Sequence, residues 1–180
     1  MPEEDCVICS IVKGKVPSKK VYEDEDVLAV LDVNGALPGH CFVLPKEHYP
    51  IFEQVPDFIA SKLFSVANKV SSAIFDALNA QGTNIFVTNG VAAGQTVAHF
   101  TINVIPRKDN DGINLQWQPK QLSEEEISTV ELKLKEGTKN IGYFEKSKPG
   151  AIKREIRPKT ETIGEEGEEN YMIRSLRRIP

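Results

Sequence analysis

Between residues 94 and 107 the chain reads Gly94-Gln95-Thr96-Val97-Ala98-His99-Phe100-Thr101-Ile102-Asn103-Val104-Ile105-Pro106-Arg107. Polar side chains at 99, 101 and 103 alternate with apolar ones at 98, 100, 102 and 104. That period places His99, Thr101 and Asn103 in a row on one face of a strand. The row could meet an anion with hydrogen bonds, but its covalent chemistry is limited. A threonine hydroxyl is a poor nucleophile unless a base takes its proton. The Asn103 carboxamide could bond a phosphate oxygen or a water, yet it cannot titrate. His99 and His40 are the candidate bases. Gly94, in the loop before the row, would let the backbone approach an anion closely.

The second chemical signal is Cys6-Val7-Ile8-Cys9. A C-x-x-C pair can begin a metal site, form a redox couple or pack as two buried thiols. The redox alternative lacks a strand-then-helix setting and an activating cation beside the thiols. Cys41 lies inside an apolar run and is expected to pack in the core. Asp32 fits a turn cap, and Asn89-Gly90 is a turn signal. The chain holds only three histidines, His40, His48 and His99, which restricts every imidazole-based mechanism.

Bulk properties exclude several classes of function. The 180 residues carry 22 basic and 26 acidic side chains, a net charge of -4, so no global basic field favours nucleic acid or a membrane surface. No run approaches the ~20 apolar residues that span a bilayer. The acidic start, Met1-Pro2-Glu3-Glu4-Asp5, is not followed by an apolar secretory segment. Three cysteines without such a signal suggest a reducing, cytoplasmic setting.

The elements that must position these groups follow from periodicity. Lys20–Glu23 and Val27–Leu31 are predicted strands around Asp24-Glu25-Asp26, and residues 40–44 form a buried strand ended by Pro45. Residues 56–79 are predicted to form a long helix. Ile59, Leu63, Val66, Ala67, Val70, Ile74 and Leu78 recur at steps of three and four, with Pro56 at its start and Gly82 past its end. Residues 83–88 and 97–105 are predicted strands joined by the 89–94 loop. Ser123-Glu124-Glu125-Glu126 is a capping box that opens a shorter helix, with Ile127, Val130 and Leu134 on one face and Gly137 at its end. Several strands, one long helix and short loops predict an α+β fold with an antiparallel sheet.

Two regions are expected, a domain over 1–140 and a charged C-terminal extension over 141–180. The extension is basic over 146–159, acidic over 161–169 and Arg-rich with apolar residues over 170–180. Composition alone reads as a solvated tail; the sharper expectation is an arm docked on the body or on a second subunit through Tyr171, Ile173, Leu176 and Ile179.

Four segments together resemble the histidine-triad (HIT) family of nucleotide hydrolases and transferases, in its zinc-containing branch. They are the Cys6–Cys9 start, Val27–Leu31 followed by Asp32, the Pro38-Gly39-His40…Pro45-Lys46-Glu47-His48 segment, and residues 89–107. Asp111-Gly112 and Trp117 add to the likeness. The family signature is His-x-His-x-His, and here the row is His99, Thr101 and Asn103. The resemblance implies a five-stranded antiparallel sheet with one long and one or more short helices, forming a homodimer whose sheets run together. It implies a structural zinc held by Cys6, Cys9, His48 and His99. It also implies a nucleotide site for a purine nucleotide such as AMP, with Asp32 on the ribose. Asn89, Gly94, Gln95, Thr96, Thr101 and Asn103 would lie around the phosphates. Thr101 occupies the position of the family's nucleophilic imidazole. The expected function is therefore nucleotide binding with the usual hydrolase or transferase activity impaired or lacking. The alternatives are a phosphoramidate or dinucleoside polyphosphate hydrolase with a different relay, and an interaction or scaffold module.

Overall fold

The computed structural model describes residues 3–139 and 141. The proposed docking segment at 170–180, and the extension from 142 onwards, lie outside the described residues. Three helices and five strands occur in the order α1 (Val7–Val12), β1 (Lys20–Glu23), β2 (Val27–Leu31), β3 (Cys41–Pro45), α2 (Asp57–Leu78), β4 (Gly82–Val87), β5 (Ile102–Arg107) and α3 (Glu124–Gly137). The strands make one antiparallel sheet in the order β1-β2-β3-β5-β4, which is the expected α+β architecture.

The two faces of the sheet are covered differently. Val27, Ala29, Cys41, Val43, Ile102 and Val104 pack against the apolar stripe of α2, including Ile59, Leu63, Val66 and Val70. This stripe is why the 22-residue segment folds as one helix, since its propensity alone would leave it marginal. Leu63 is wholly buried, so its truncation to Ala would cost about 2–5 kcal/mol. The alternate residues Leu28, Val30 and Leu44 face the other way and pack against Cys6, Ile8 and Cys9. Those contacts fix α1, whose six residues could not form a stable helix alone.

Two sequence expectations need correction. Helix α2 is closed by Asn79 in the left-handed conformation (φ 51°), whereas Gly82 opens β4. An asparagine tolerates that conformation well enough to serve as the cap. The final strand begins at Ile102 rather than at residue 97. The His99 N–H turns back to the Val97 carbonyl at 2.8 Å, and the Phe100 N–H donates to the Tyr49 carbonyl at 2.6 Å. These bonds take residues 97–101 out of the sheet ladder, so His99, Thr101 and Asn103 do not share one strand.

Helix α3 has the expected capping box. The Glu126 N–H donates to Ser123 Oγ, and the Ser123 N–H donates to Glu126 Oε2. Its apolar residues Ile127, Val130 and Leu134 are exposed, however, and no residue of α3 is buried. Among the described residues, no helix is long and apolar enough to cross a membrane.

Candidate functional site

Two side-chain clusters lie on the face of the sheet opposite α2. The first is built on α1. Cys6 is its N-cap and Cys9 sits one turn further on, so the two sulfurs share a side of the helix. His48 follows β3, and His99 comes from the turn before β5. Nδ1 of His99 lies 3.6 Å from both Cys6 Sγ and Cys9 Sγ. Nδ1 of His48 lies 3.2 Å from Cys9 Sγ. One donor atom from each of the four residues falls within 4.8 Å of the others. The sequence-predicted metal residues are thus brought together, and they could hold a metal ion.

The chemistry of the donor set supports that capacity. His99 Nε2 is 3.0 Å from the Pro45 carbonyl, which can only accept. Nε2 therefore carries the proton, and Nδ1 points its lone pair at the thiols. Burial pushes the His99 pKa down to about 4, with the nearby His48 adding to the shift, so the ring is neutral near pH 7. Burial also pushes the Cys9 thiol up to about 11, assisted by Cys6. A bound cation would reverse that preference by favouring the thiolate. His48 Nε2 is buried without a hydrogen-bond partner among the described residues, a cost that they do not offset.

The second cluster surrounds His40, immediately before β3. The Ala36 N–H donates to His40 Nδ1 at 3.2 Å, and His40 Nε2 lies 3.1 Å from Asn103 Oδ1. Asp32 Oδ2 stands 3.5 Å from His40 Nδ1, while its Oδ1 accepts the Asn34 N–H at 2.9 Å. Gly35 permits this close approach, because a Cβ there would fall 2.8 Å from that of His40. Asn103 is set in β5 between Phe42 of β3 and Phe86 of β4. His40 and Asn103 are both buried, and Thr101 is half-buried two residues before Asn103.

The loop from 89 to 96 holds itself in shape. Gln95 Oε1 accepts the Gly90 N–H at 2.8 Å, and its Nε2 donates to the carbonyls of Pro50 and Val97. The backbone N–H groups of Gly94 and Gln95 bond to the carbonyls of Val91 and Gly90. Asn89 Oδ1 accepts the Phe52 N–H, and its Nδ2 donates to both Glu53 carboxylate oxygens. Asn89 and Gln95 thus brace the loop through their side chains, while Thr96 is exposed.

Sequence reasoning missed two contributors. The Pro45 carbonyl orients His99, and the Ala36 N–H orients His40. Only Pro45 left a signal, since a proline ending a strand marks where the chain leaves the ladder. The backbone N–H of Ala36 acts through tertiary placement alone.

Comparison with known proteins bears on this site. The sequence pattern described as "HIT domain" matches residues 13–110. The chain is 40% identical over 109 residues to adenylylsulfatase HINT3 of Arabidopsis thaliana, a match that covers 61% of this chain and 55% of that protein. It is 29% identical over 136 residues to adenosine 5'-monophosphoramidase HNT1 of Candida albicans, covering 73% of this chain and 90% of that one. A crystal structure of a zinc-bound histidine triad family protein from Mycobacterium smegmatis superimposes with a TM-score of 0.60 at 31% identity, covering 76% of this chain and 99% of that chain.

Proposed function

The chain belongs to the HIT domain family, and from that premise we propose that it binds a nucleotide while the usual hydrolase or transferase chemistry is impaired or lacking. One observation carries this reading: all three histidines of the chain are already committed. His48 and His99 face the two thiols, and both nitrogens of His40 are engaged by Ala36 and Asn103. No imidazole is left to attack phosphorus. Thr101 stands where a nucleophile would be needed, and a hydroxyl without a base does not serve. The same commitment of His40 argues against a different relay built on it.

The proposed ligand is an adenine nucleotide such as AMP, in keeping with the adenylyl and adenosine compounds named for the relatives. Asp32 would meet the ribose. Thr96, in a loop whose shape Asn89, Gly94 and Gln95 maintain, would offer a hydrogen bond to phosphate, and so would Thr101 and Asn103 from outside that loop. Contact by Asn89 or Gln95 themselves would require them to exchange bonds they already make.

Cys6, Cys9, His48 and His99 are proposed to hold a structural zinc ion. Tetrahedral zinc with bonds of about 2.3 Å to sulfur and about 2.0 Å to nitrogen separates those ligands by roughly 3.5 Å. The Cys9–His48 distance of 3.2 Å and the Cys6–His99 and Cys9–His99 distances of 3.6 Å lie close to that value. Zinc would fasten α1 to the turn before β5.

A homodimer in the cytoplasm completes the proposal. Strand β4 is an outer strand with Ile85 exposed, and Leu115, Trp117, Leu122 and the α3 stripe are also uncovered in a single chain. Apolar area of that extent is suited to burial by a second copy. The test combines thermal shift with turnover. AMP should raise the melting temperature of the purified chain, and adenosine 5'-phosphoramidate should be bound but turned over slowly or not at all. Absence of any shift across adenine and guanine nucleotides would overturn the binding claim, and rapid turnover would overturn the impairment claim.

A further inference from the structure

We propose that His40 is a positioning residue for Asn103. It holds the Asn103 carboxamide with the oxygen turned inwards, so that the Nδ2 amino group is presented to a bound phosphate oxygen. The inference rests on the nucleotide-binding role proposed for Asn103 and adds the means by which its polarity is set.

The polarity follows from the chain of donors. The Ala36 N–H can only donate, so neutral His40 accepts at Nδ1 and carries its proton on Nε2. Were His40 doubly protonated, with Asp32 3.5 Å from Nδ1, Nε2 would still be a donor. In either state the group opposite Nε2 must accept. Asn103 satisfies this with Oδ1 at 3.1 Å. The flipped carboxamide would set donor against donor in a buried site, which is costly. Its own oxygen being used, Asn103 has only Nδ2 left to offer.

Nδ2 is not saturated. Its one protein partner among the described residues is the Phe86 carbonyl at 3.5 Å, the outer limit of a hydrogen bond. Nδ2 has two protons, so at least one remains for a ligand. Asn103 is 7% exposed, and a buried donor with spare capacity favours an anionic acceptor over water. The group recognised is an unprotonated phosphate oxygen. A histidine at this place could give up or take a proton, whereas the amide donates without exchanging one. His40 then contributes to affinity only through Asn103.

A double-mutant cycle on the full chain tests the coupling, with AMP affinity measured for the parent, His40→Ala, Asn103→Ala and the double variant. Each single change should weaken binding by about tenfold, and the double variant should be no weaker than Asn103→Ala. His40→Gln, which keeps a donor able to reach Oδ1, should regain most of the affinity. Losses that multiply in the double variant would show that His40 acts independently and overturn the proposal. So would a His40→Gln variant as weak as His40→Ala. If His40→Ala fails to fold, His40→Gln against the shorter His40→Asn gives the same comparison. The amide orientation is read separately by NMR on the ligand-free protein. Asn103 Nδ2 protons should show contacts to Phe86 rather than to the His40 ring, and the reverse pattern would overturn the proposal. Failure of the parent to bind AMP would instead remove the nucleotide reading, leaving the NMR result to decide the orientation.

Discussion

His99 donates its Nε2 proton to the Pro45 carbonyl across 3.0 Å, and this single bond aims the opposite ring nitrogen at both N-terminal thiols. A carbonyl that fixes the tautomer of an imidazole also makes its other nitrogen a better metal ligand. Residues 97–101 lie outside the sheet ladder, and the bond holds the His99 ring within that turn.

Purified chain should carry about one zinc per chain, the stoichiometry expected when the proposed four-donor site holds one ion. Cys9→Ser should abolish stoichiometric metal and lower the melting temperature by roughly 5–15 °C, because metal binding is coupled to folding. Elemental analysis and calorimetry on the same preparation check this. A variant that keeps its melting temperature would show that the thiols merely pack.

Acid should destabilise the fold through two aspartates. Arg107 holds the Asp111 carboxyl well below the usual carboxylate range, helped by the Ile113 and Lys108 N–H groups. Burial works against ionisation of Asp24, but bonds from Tyr22, Val27, Asp26 and Lys62 outweigh it and hold that carboxyl low as well. A depressed folded-state pKa gives stability that is present above the unfolded value of about 3.9 and fades as pH falls from there towards the folded value. Urea midpoints should therefore decline below about pH 4. Asp111→Asn should be less stable at neutral pH and show a shallower acid decline; a parallel decline would exclude Asp111 as a source.

Gly39→Ala should cost about 1–2 kcal/mol. Gly39 has φ +95°, where a side chain is strained, and an added Cβ would collide with Leu78 and press the Pro106 ring. Leu78 is partly exposed and can swing aside, so the backbone strain sets most of the cost. A urea melt that matches the parent would show that the 37–40 turn relaxes.

The fold was largely legible because it rests on periodic burial. The α2 stripe declares its face without tertiary information, and the unbroken apolar runs of β2 and β3 declare strands buried on both faces. The four candidate metal ligands were legible by type and resemblance, yet their convergence depends on a turn at 97–100 that strand-like alternation concealed. Alternation reports side-chain polarity, and His99 satisfies it as a polar position although the ring is buried and the residue is unpaired in the sheet. The engagement of Asn89 with Glu53 and Phe52 was not legible, because an Asn-Gly pair is a turn signal whatever the side chain bonds. The exposed α3 face shows the converse limit. Its stripe is amphipathic, but burial needs a partner surface that the described chain does not supply.

Restoring both imidazoles, Thr101→His with Asn103→His, should create turnover of adenosine 5'-phosphoramidate at least ~100-fold above the parent, the lower range for a positioned acid or base. Thr101 is half-buried, so a larger ring at 101 has room towards solvent. An imidazole at 103 would meet the same His40 Nε2 donor that Asn103 meets now, and would have to accept there. Its other nitrogen would then carry a proton, available to a leaving group. Asn103→His alone should gain nothing, since Thr101 still lacks a base. Single-turnover assays quenched in alkali, where a phosphoramidate adduct survives, follow the step. A double variant that binds AMP as tightly as the parent yet forms no adduct would show that the obstacle is the shape of the site, and not the missing nucleophile.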